Sequence, residues 1–366
     1  MENLIRIGLT GCGFISTYHY DCLKRIYGLN IEVTGVFDNN IEKARMFASE
    51  RGIHPFKSLE DLLANVDVVT VGTPPATHES IILAAATMGK DIICEKPLIG
   101  YAPPAEEKNF VGITAPKELM RKSVYGSLAR IENAIKKNSV NFCYFENLIY
   151  SPSLQKEREI IEKTGAQILR MLGEESHRGN HATYSSNWKY ACGGSLISTG
   201  SHPIGALLYL KRVEGHASGK GIIKPLSVSA RIQQLTKLNS YKDKGFLRSD
   251  YYDVEDYAWV HIDFEDGTVG DVVTGATVLG GLYDYVEVFA NNHRSRCRMN
   301  PINSLDVYNP EIPEFDKVYL EYGLSTNKGW SHAVTDEYWV MGYQQEMQDA
   351  LESFVQKRRP VSDIAE

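Results

Sequence analysis

At 366 residues, 43% hydrophobic and 23% charged, the chain is long enough for two cores and has the ordinary balance of a globular protein. Its formal charge of −7 argues against bulk nucleic-acid binding, and no apolar run reaches bilayer-spanning length, so neither nucleic acid nor membrane is an expected partner. Met1–Arg6 enters a strand pattern with no signal-peptide character, and the six cysteines include no C-x-x-C pair, so a cytoplasmic protein with reduced thiols is expected.

In chain order, short apolar runs stand at Ile5–Leu9, Ile31–Phe37, Val68–Val71 and Ile92–Cys94. Between them lie amphipathic segments around Tyr18–Tyr27, Asn40–Arg51, Leu59–Ala64 and His78–Met88. Unbroken Val/Ile runs alternating with helices predict a parallel sheet covered on both faces. Tyr101-Ala102-Pro103-Pro104 opens a loop-prone stretch to about Gly126, followed by a helix near Leu128–Lys137, a strand over Asn141–Ile149 and a helix over Ser153–Lys163. From about Leu226 strands dominate: Ser227–Leu235, Ala258–Phe264, Gly267–Thr274 and Tyr285–Ala290, with Glu265-Asp266-Gly267 as a hairpin turn. Pro301–Pro313 reads as a surface loop.

Gly11-Cys12-Gly13-Phe14-Ile15-Ser16 follows the first strand and opens a helix. The first glycine permits the tight turn, the second lets a pyrophosphate approach the backbone, and the helix N-terminus offers N–H groups to phosphate. Ser16 stands where a third glycine is usual. The second strand ends in Asp38, 22 residues beyond Ser16; a carboxylate there accepts from ribose hydroxyls and repels a 2′-phosphate. Asn39 and Asn40 follow, with no arginine, which favours NAD over NADP. Asp38 as a cap for the next helix is the competing reading, and both roles are compatible. Thr73-Pro74-Pro75-Ala76-Thr77-His78 and Glu95-Lys96-Pro97 follow the third and fourth runs, at the strand ends where ligands bind in open α/β sheets.

The order strand–GCGFIS–Asp38–TPPATH–EKP resembles the Gfo/Idh/MocA family (glucose–fructose oxidoreductase, inositol dehydrogenase and relatives) over nearly the whole chain. The resemblance implies an α/β Rossmann domain at 1–125, with an insertion near 101–125. It implies an α+β domain with a large open, mainly antiparallel sheet at 126–366, serving substrate and oligomerisation. Lys96 would contact and polarise the reacting hydroxyl; Pro74, Pro75 and His78 would line the NAD site with Thr73 and Glu95. Relatives usually end in a helix packed on the cofactor domain; this chain stops at Pro360–Glu366, so truncation or another source of that packing is expected.

Gly193-Gly194 followed by Ser198 and His202 resembles the family's second signature, a glycine pair before a helix carrying Asp and His four residues apart. That spacing would put both side chains on one helix face. His202 fits the general base, since an imidazole titrates near neutrality. Ser198 replaces the Asp and holds no charge, so either another carboxylate substitutes or the sugar is held differently. Glu174–His181, then Trp188-Lys189-Tyr190, reads as a polar substrate loop: Trp188 to stack on a sugar, with Glu175, His177 and His181 for its hydroxyls. The two histidines four apart also suit a metal, but the loose spacing and absent thiol make no metal the expectation. Glu146 and Asn147 are either hydroxyl partners or solvent-facing strand residues.

These residues predict hydride transfer between a secondary alcohol of a sugar or glycoside and NAD, with oxidation at C3 preferred. Two alternatives remain: NAD-dependent glycoside cleavage through a 3-keto intermediate, and a non-catalytic NAD-sensing module. A homo-oligomer formed through the C-terminal sheet is expected.

Overall fold

The computed structural model describes residues 4–104, 106–107, 109–300, 305–318, 320, 328–333 and 335–364. The first part of the chain gives β1 (Ile5–Thr10), α1 (Phe14–Leu23), β2 (Ile31–Phe37), α2 (Ile41–Arg51), β3 (His54–Pro55), α3 (Leu59–Ala64), β4 (Val68–Val71), α4 (His78–Thr87), β5 (Asp91–Glu95), α5 (Lys117–Asn138) and β6 (Phe142–Phe145). The strands form one parallel sheet in the order β3-β2-β1-β4-β5-β6. The chain reverses direction across the sheet between β1 and β4, which opens a crevice at their carboxyl ends.

The sheet takes in β6, so it extends past the expected boundary at residue 125 to Phe145. The loop expected up to Gly126 is also shorter than read, because α5 begins at Lys117. Lys117-Glu118-Leu119-Met120-Arg121-Lys122 are good helix formers directly after Pro116, and Gly126 lies inside the helix instead of ending a loop.

The second part contains α6 (Pro152–Thr164), β7 (Ile168–Ser176), α7 (Trp188–Ala191), α8 (Ser195–Ser198), α9 (Ser201–Ala217), β8 (Pro225–Gln233), β9 (Tyr257–Phe264), β10 (Val269–Gly275), β11 (Tyr283–Ala290) and β12 (Arg294–Arg298). After these come β13 (Leu305–Asn309), β14 (Gly329–Ala333), α10 (Glu337–Val340) and α11 (Tyr343–Gln356). The second sheet has the order β12-β11-β7-β10-β9-β8, antiparallel except where β10 runs parallel to β7. Part of the loop expected over 301–313 is strand: β13 pairs with β14, while 301–304 lie outside the described residues.

One face of the second sheet packs on α9. A Cβ on Gly173 would lie 2.9 Å from Pro203 Cβ, and one on Gly270 would lie 2.6 Å from Leu207 Cδ2, so both strands need glycine for this approach. Ile7, Leu9, Val36 and Ile93 of the first sheet share a core with Met347, Leu351 and Phe354 of α11 and with Val272 and Val286 of the second. The carboxyl-terminal segment supplies the packing on the cofactor domain: Tyr18 donates to Glu337 at 2.6 Å, Arg25 to Asp336 at 3.0 Å, and Gln348 to the Tyr27 carbonyl at 2.9 Å. No described helix is long and apolar enough to cross a membrane.

Candidate active site

Gly11 takes φ +85° and turns the chain back from β1; a Cβ there would lie 2.9 Å from the Gly72 carbonyl oxygen. Ser16 is buried against the end of β4, where a Cβ on Gly72 would lie 2.9 Å from its Oγ. The close helix–strand approach is thus made with glycine on the strand side, which accounts for Ser16 in the third position. A Cβ on Gly13 would meet nothing within 4 Å, and α1 has no side-chain cap. Open space above uncapped N–H groups fits a dinucleotide pyrophosphate.

Asp38 is half-buried at the end of β2; it accepts from Cys12 N at 3.0 Å and Asn40 N at 2.8 Å. The capping alternative is settled, since Asn40, not Asp38, caps α2 by accepting from Glu42 N and Lys43 N. Asn39 is exposed beside it, and Phe14 and Ile15 open α1. His78 is buried between two turns: Nε2 lies 2.8 Å from the Thr73 carbonyl and Nδ1 3.0 Å from that of Pro97. It fastens the Thr73-Pro74-Pro75 turn to the Lys96-Pro97 turn and does not itself face a cleft. Glu95 likewise points inward, 2.9 Å from His19 Nε2, with its second oxygen accepting from Lys96 N.

Lys96 reaches across from β5 and donates to the Ser198 carbonyl at 2.7 Å. Ser198 and His202 do not share one continuous helix: α8 ends at Ser198 and α9 begins at Ser201. Pro203 explains the break, because proline lacks an N–H and clashes with the carbonyl four residues back, yet is tolerated in a first helical turn. His202 therefore sits at the start of α9, buried, with Nδ1 2.5 Å from Glu146 Oε1. Glu146, at the end of β6, is thus the carboxyl group that faces His202. An ionised carboxylate only accepts, which would make Nδ1 the donor of this bond.

Glu174 and Glu175 belong to β7, so the polar loop begins at His177. Glu175 is buried, and burial pushes its carboxyl up to about 8, with nearby His202 and Lys96 opposing. His177 accepts from Gly179 N at 2.9 Å; burial, then Lys96, hold it down to about 4. A small cavity beside Ser198 is lined by His177, Asn180, Ser195, Tyr251 and Ala276. His181 leans over the glycine loop, its ring 5.2 Å from that of Phe14.

Two expected substrate residues serve packing. Trp188 is buried, donating Nε1–H to the Tyr101 carbonyl at 2.9 Å with the Lys117 ammonium 4.9 Å over its ring, so it has no open face for a sugar. Tyr101, Gly112 and Lys117 cover it, and Asp253 fastens the cover by accepting from Gly112 N and Trp188 N. Asn147 is buried and donates to the Met341 carbonyl at 2.8 Å. Sequence reasoning missed Asp284 and Glu346, both buried with unpartnered carboxyl oxygens. Their signal was present: Asp284 interrupts the apolar row Val286, Val288, and Glu346 stands on the buried face of α11 beside Met347 and Ala350.

Residues 5–119 match the model of an oxidoreductase family with an NAD-binding Rossmann fold. The chain is similar to UDP-N-acetylglucosamine 3-dehydrogenase of Acidithiobacillus ferrooxidans, 30% identical over 133 residues, 36% of this chain and 40% of that one. It is similar to glucose-6-phosphate 3-dehydrogenase of Bacillus subtilis, 30% identical over 249 residues, 68% of this chain and 63% of that one. With inositol 2-dehydrogenase of Cereibacter sphaeroides it is 39% identical over 98 residues, 26% of this chain and 28% of that one. The chain thus spans between 28% and 63% of the length of these relatives. The crystal structure of GenD2 from gentamicin A biosynthesis, in complex with NAD, shares the fold at TM-score 0.78 and 20% identity, covering 100% of this chain and 90% of that one. Apo scyllo-inositol dehydrogenase from Lactobacillus casei shares it at TM-score 0.70 and 15% identity, covering 100% and 92%.

Proposed function

We propose, from the premise that this chain belongs to the Gfo/Idh/MocA family of oxidoreductases with an NAD-binding Rossmann domain, that it oxidises a secondary alcohol of a sugar or glycoside, by preference at C3. The observation that carries the reading is the hydrogen-bonded pair His202–Glu146, with Lys96 bonded to the carbonyl of Ser198, four residues before His202. His202 Nε2 takes the hydroxyl proton as general base. Glu146 holds the ring in the required tautomer and stabilises the imidazolium. Lys96 lies against the reacting oxygen and favours the developing negative charge. Gly11–Ser16 and Asp38 would hold NAD by its pyrophosphate and ribose, and bound NAD would supply the hydride acceptor as the alcohol carbon becomes a ketone. The two 3-dehydrogenases among the relatives support the choice of C3.

We place the protein in the cytoplasm, in keeping with six free thiols. We also assign it a homo-oligomer through the second sheet, whose edge strand β8 exposes Leu226 at 74%.

The test has two stages. Nucleotide carried by the purified protein is identified by mass spectrometry, and reduced nicotinamide is then followed by absorbance with glucose, glucose 6-phosphate, myo-inositol and methyl β-D-glucopyranoside. Reduction with a sugar or glycoside, with a 3-keto product, is expected. No reduction across the panel overturns the dehydrogenase reading, and a retained, unreduced nucleotide would then favour sensing.

A further inference from the structure

Glycine inside a helix costs stability, because it frees the unfolded backbone and packs no side chain. Helix α9 nevertheless carries two, Gly205 and Gly215. Gly215 answers to backbone packing, since a Cβ there would lie 1.9 Å from the Gly221 carbonyl oxygen. Gly205 answers to something else. The three nearest atoms that its Cβ would meet all belong to one side chain: Glu146 Cγ at 3.1 Å, Cδ at 3.5 Å and Oε2 at 3.7 Å. That is the side chain whose other oxygen lies 2.5 Å from His202 Nδ1.

Residues three apart on a helix are surface neighbours, so Gly205 stands beside His202 on one face of α9. Glu146 lies over that face, buried, with Oε1 on the imidazole and its stem across the bare backbone at Gly205. Its Oε2 is buried too and has no hydrogen-bond partner among the described residues. A single hydrogen bond therefore ties the carboxyl, and packing has to fix the rest of its orientation.

Glu146 has little room to retreat. The tail of the chain anchors its peptide from the far side: Asn147 donates to the Met341 carbonyl at 2.8 Å, and a Cβ on Gly342 would lie 2.1 Å from the Asn147 carbonyl oxygen. The Tyr343 ring stands 6.4 Å from that of Phe145, the residue before Glu146. Packed carbon atoms keep about 3.5–4.0 Å between them, so a methyl group at position 205 would press on Glu146 Cγ. With the backbone held, the adjustment falls on the side-chain torsions, which swing the carboxyl away from Nδ1. Hydrogen bonds weaken steeply with misalignment, so a small swing is enough to loosen the pair.

We propose that Gly205 is a positioning residue: its missing side chain lets Glu146 lie across α9 and hold the His202 imidazole in line for the alcohol proton. This rests on the dehydrogenase reading for the reaction, not for the contact between Gly205 and Glu146.

The test is a double-mutant cycle of Gly205→Ala and Glu146→Ala on the full chain. At saturating NAD and sugar, Gly205→Ala alone should lower turnover by about tenfold, with the KM for NAD and for the sugar kept. Full turnover in Gly205→Ala overturns the proposal by itself. With Glu146→Ala in place the added methyl has nothing to push, and Gly205→Ala should then change turnover by less than about twofold. A glycine needed only for the fold would cost the same factor in both backgrounds, and that result also overturns the proposal. Thermal melts follow the same pair without substrate. Gly205→Ala should raise the Tm more in the Glu146→Ala background than in the wild type, because only there is the gain in helix propensity unopposed. Equal shifts in the two backgrounds count against the proposal as decisively. A coupled Tm cycle in a protein that reduces no nicotinamide with any sugar sinks the dehydrogenase reading and leaves the Gly205 contact standing. Reduction with an uncoupled cycle does the reverse.

Discussion

Asp38 reaches the glycine loop across 26 residues of chain, whereas Glu146 reaches His202 across 56 and Lys96 reaches Ser198 across 102. In the cofactor half, each ligand-facing segment directly follows a strand of one parallel sheet. Strand order alone delivers Gly11, Asp38, Thr73 and Lys96 to the same edge. In the second half, Glu146 at the end of β6, Glu175 of β7 and His202 at the start of α9 stand on separate elements, and only packing brings them together. A site of the first kind is bound to its motif. A site of the second kind is free to draw its groups from elements far apart in the chain, as the His202–Glu146 pair does here.

The largest effects should come from the two residues assigned to the reacting alcohol, His202 of the assembled half and Lys96 of the motif half. His202→Ala removes the base, and turnover should fall by on the order of a hundredfold to ten-thousandfold with NAD affinity kept. Lys96→Met should cost on the order of a hundredfold or more by the same readout. Loss of NAD with turnover preserved at saturation would move either residue into the cofactor site.

Glu146→Gln sharpens the comparison, because it keeps the shape of the partner and removes its charge. Turnover should drop by about ten- to a hundredfold, less than for His202→Ala, since the base survives without its orienting carboxylate. Equal activity in wild type and variant would leave the position at Ser198 truly empty of an acid partner.

Asp38→Ala breaks the motif half alone. The preference for NAD over NADP should narrow by about tenfold, with turnover at saturating NAD nearly unchanged. A smaller effect belongs to Glu175. In the unfolded chain its carboxyl ionises near 4.5, whereas in the folded protein it stays protonated to about 8. The folded state therefore holds the extra proton between those values, and stability falls as pH rises through that window. Melting temperatures from about pH 5 to about pH 9 should decline less steeply in Glu175→Gln; identical slopes would show that Glu175 ionises normally.

Much of the cofactor half was legible, because runs such as Val68–Val71 and Ile92–Cys94 are buried throughout, with no alternation to misread. Lys96 and His202 were singled out through motifs, which are local in the chain. Trp188 was misjudged because exposure is a tertiary property: the residues that cover its ring, Tyr101, Gly112 and Lys117, lie far upstream and carry no pattern pointing to it. The Ser198–His202 helix was misread although Pro203 stood in plain view as its breaker. Glu146 as the base's partner was beyond reach, since nothing local to β6 says which helix will dock on it.

The tail of the chain has a consequence for how the protein is made. The buried residues Tyr343, Met347, Leu351 and Phe354 of α11 close an apolar flank of the cofactor domain at α1 and β6, with the Tyr343 ring 5.2 Å from that of Tyr18 and 6.4 Å from that of Phe145. Synthesis runs from the amino terminus, and domains ordinarily close as they emerge. Here α1 leaves the ribosome some three hundred residues before α11 does. The nascent cofactor domain must wait with an apolar flank open to water, and its aggregation risk is set by the speed of translation through the second domain.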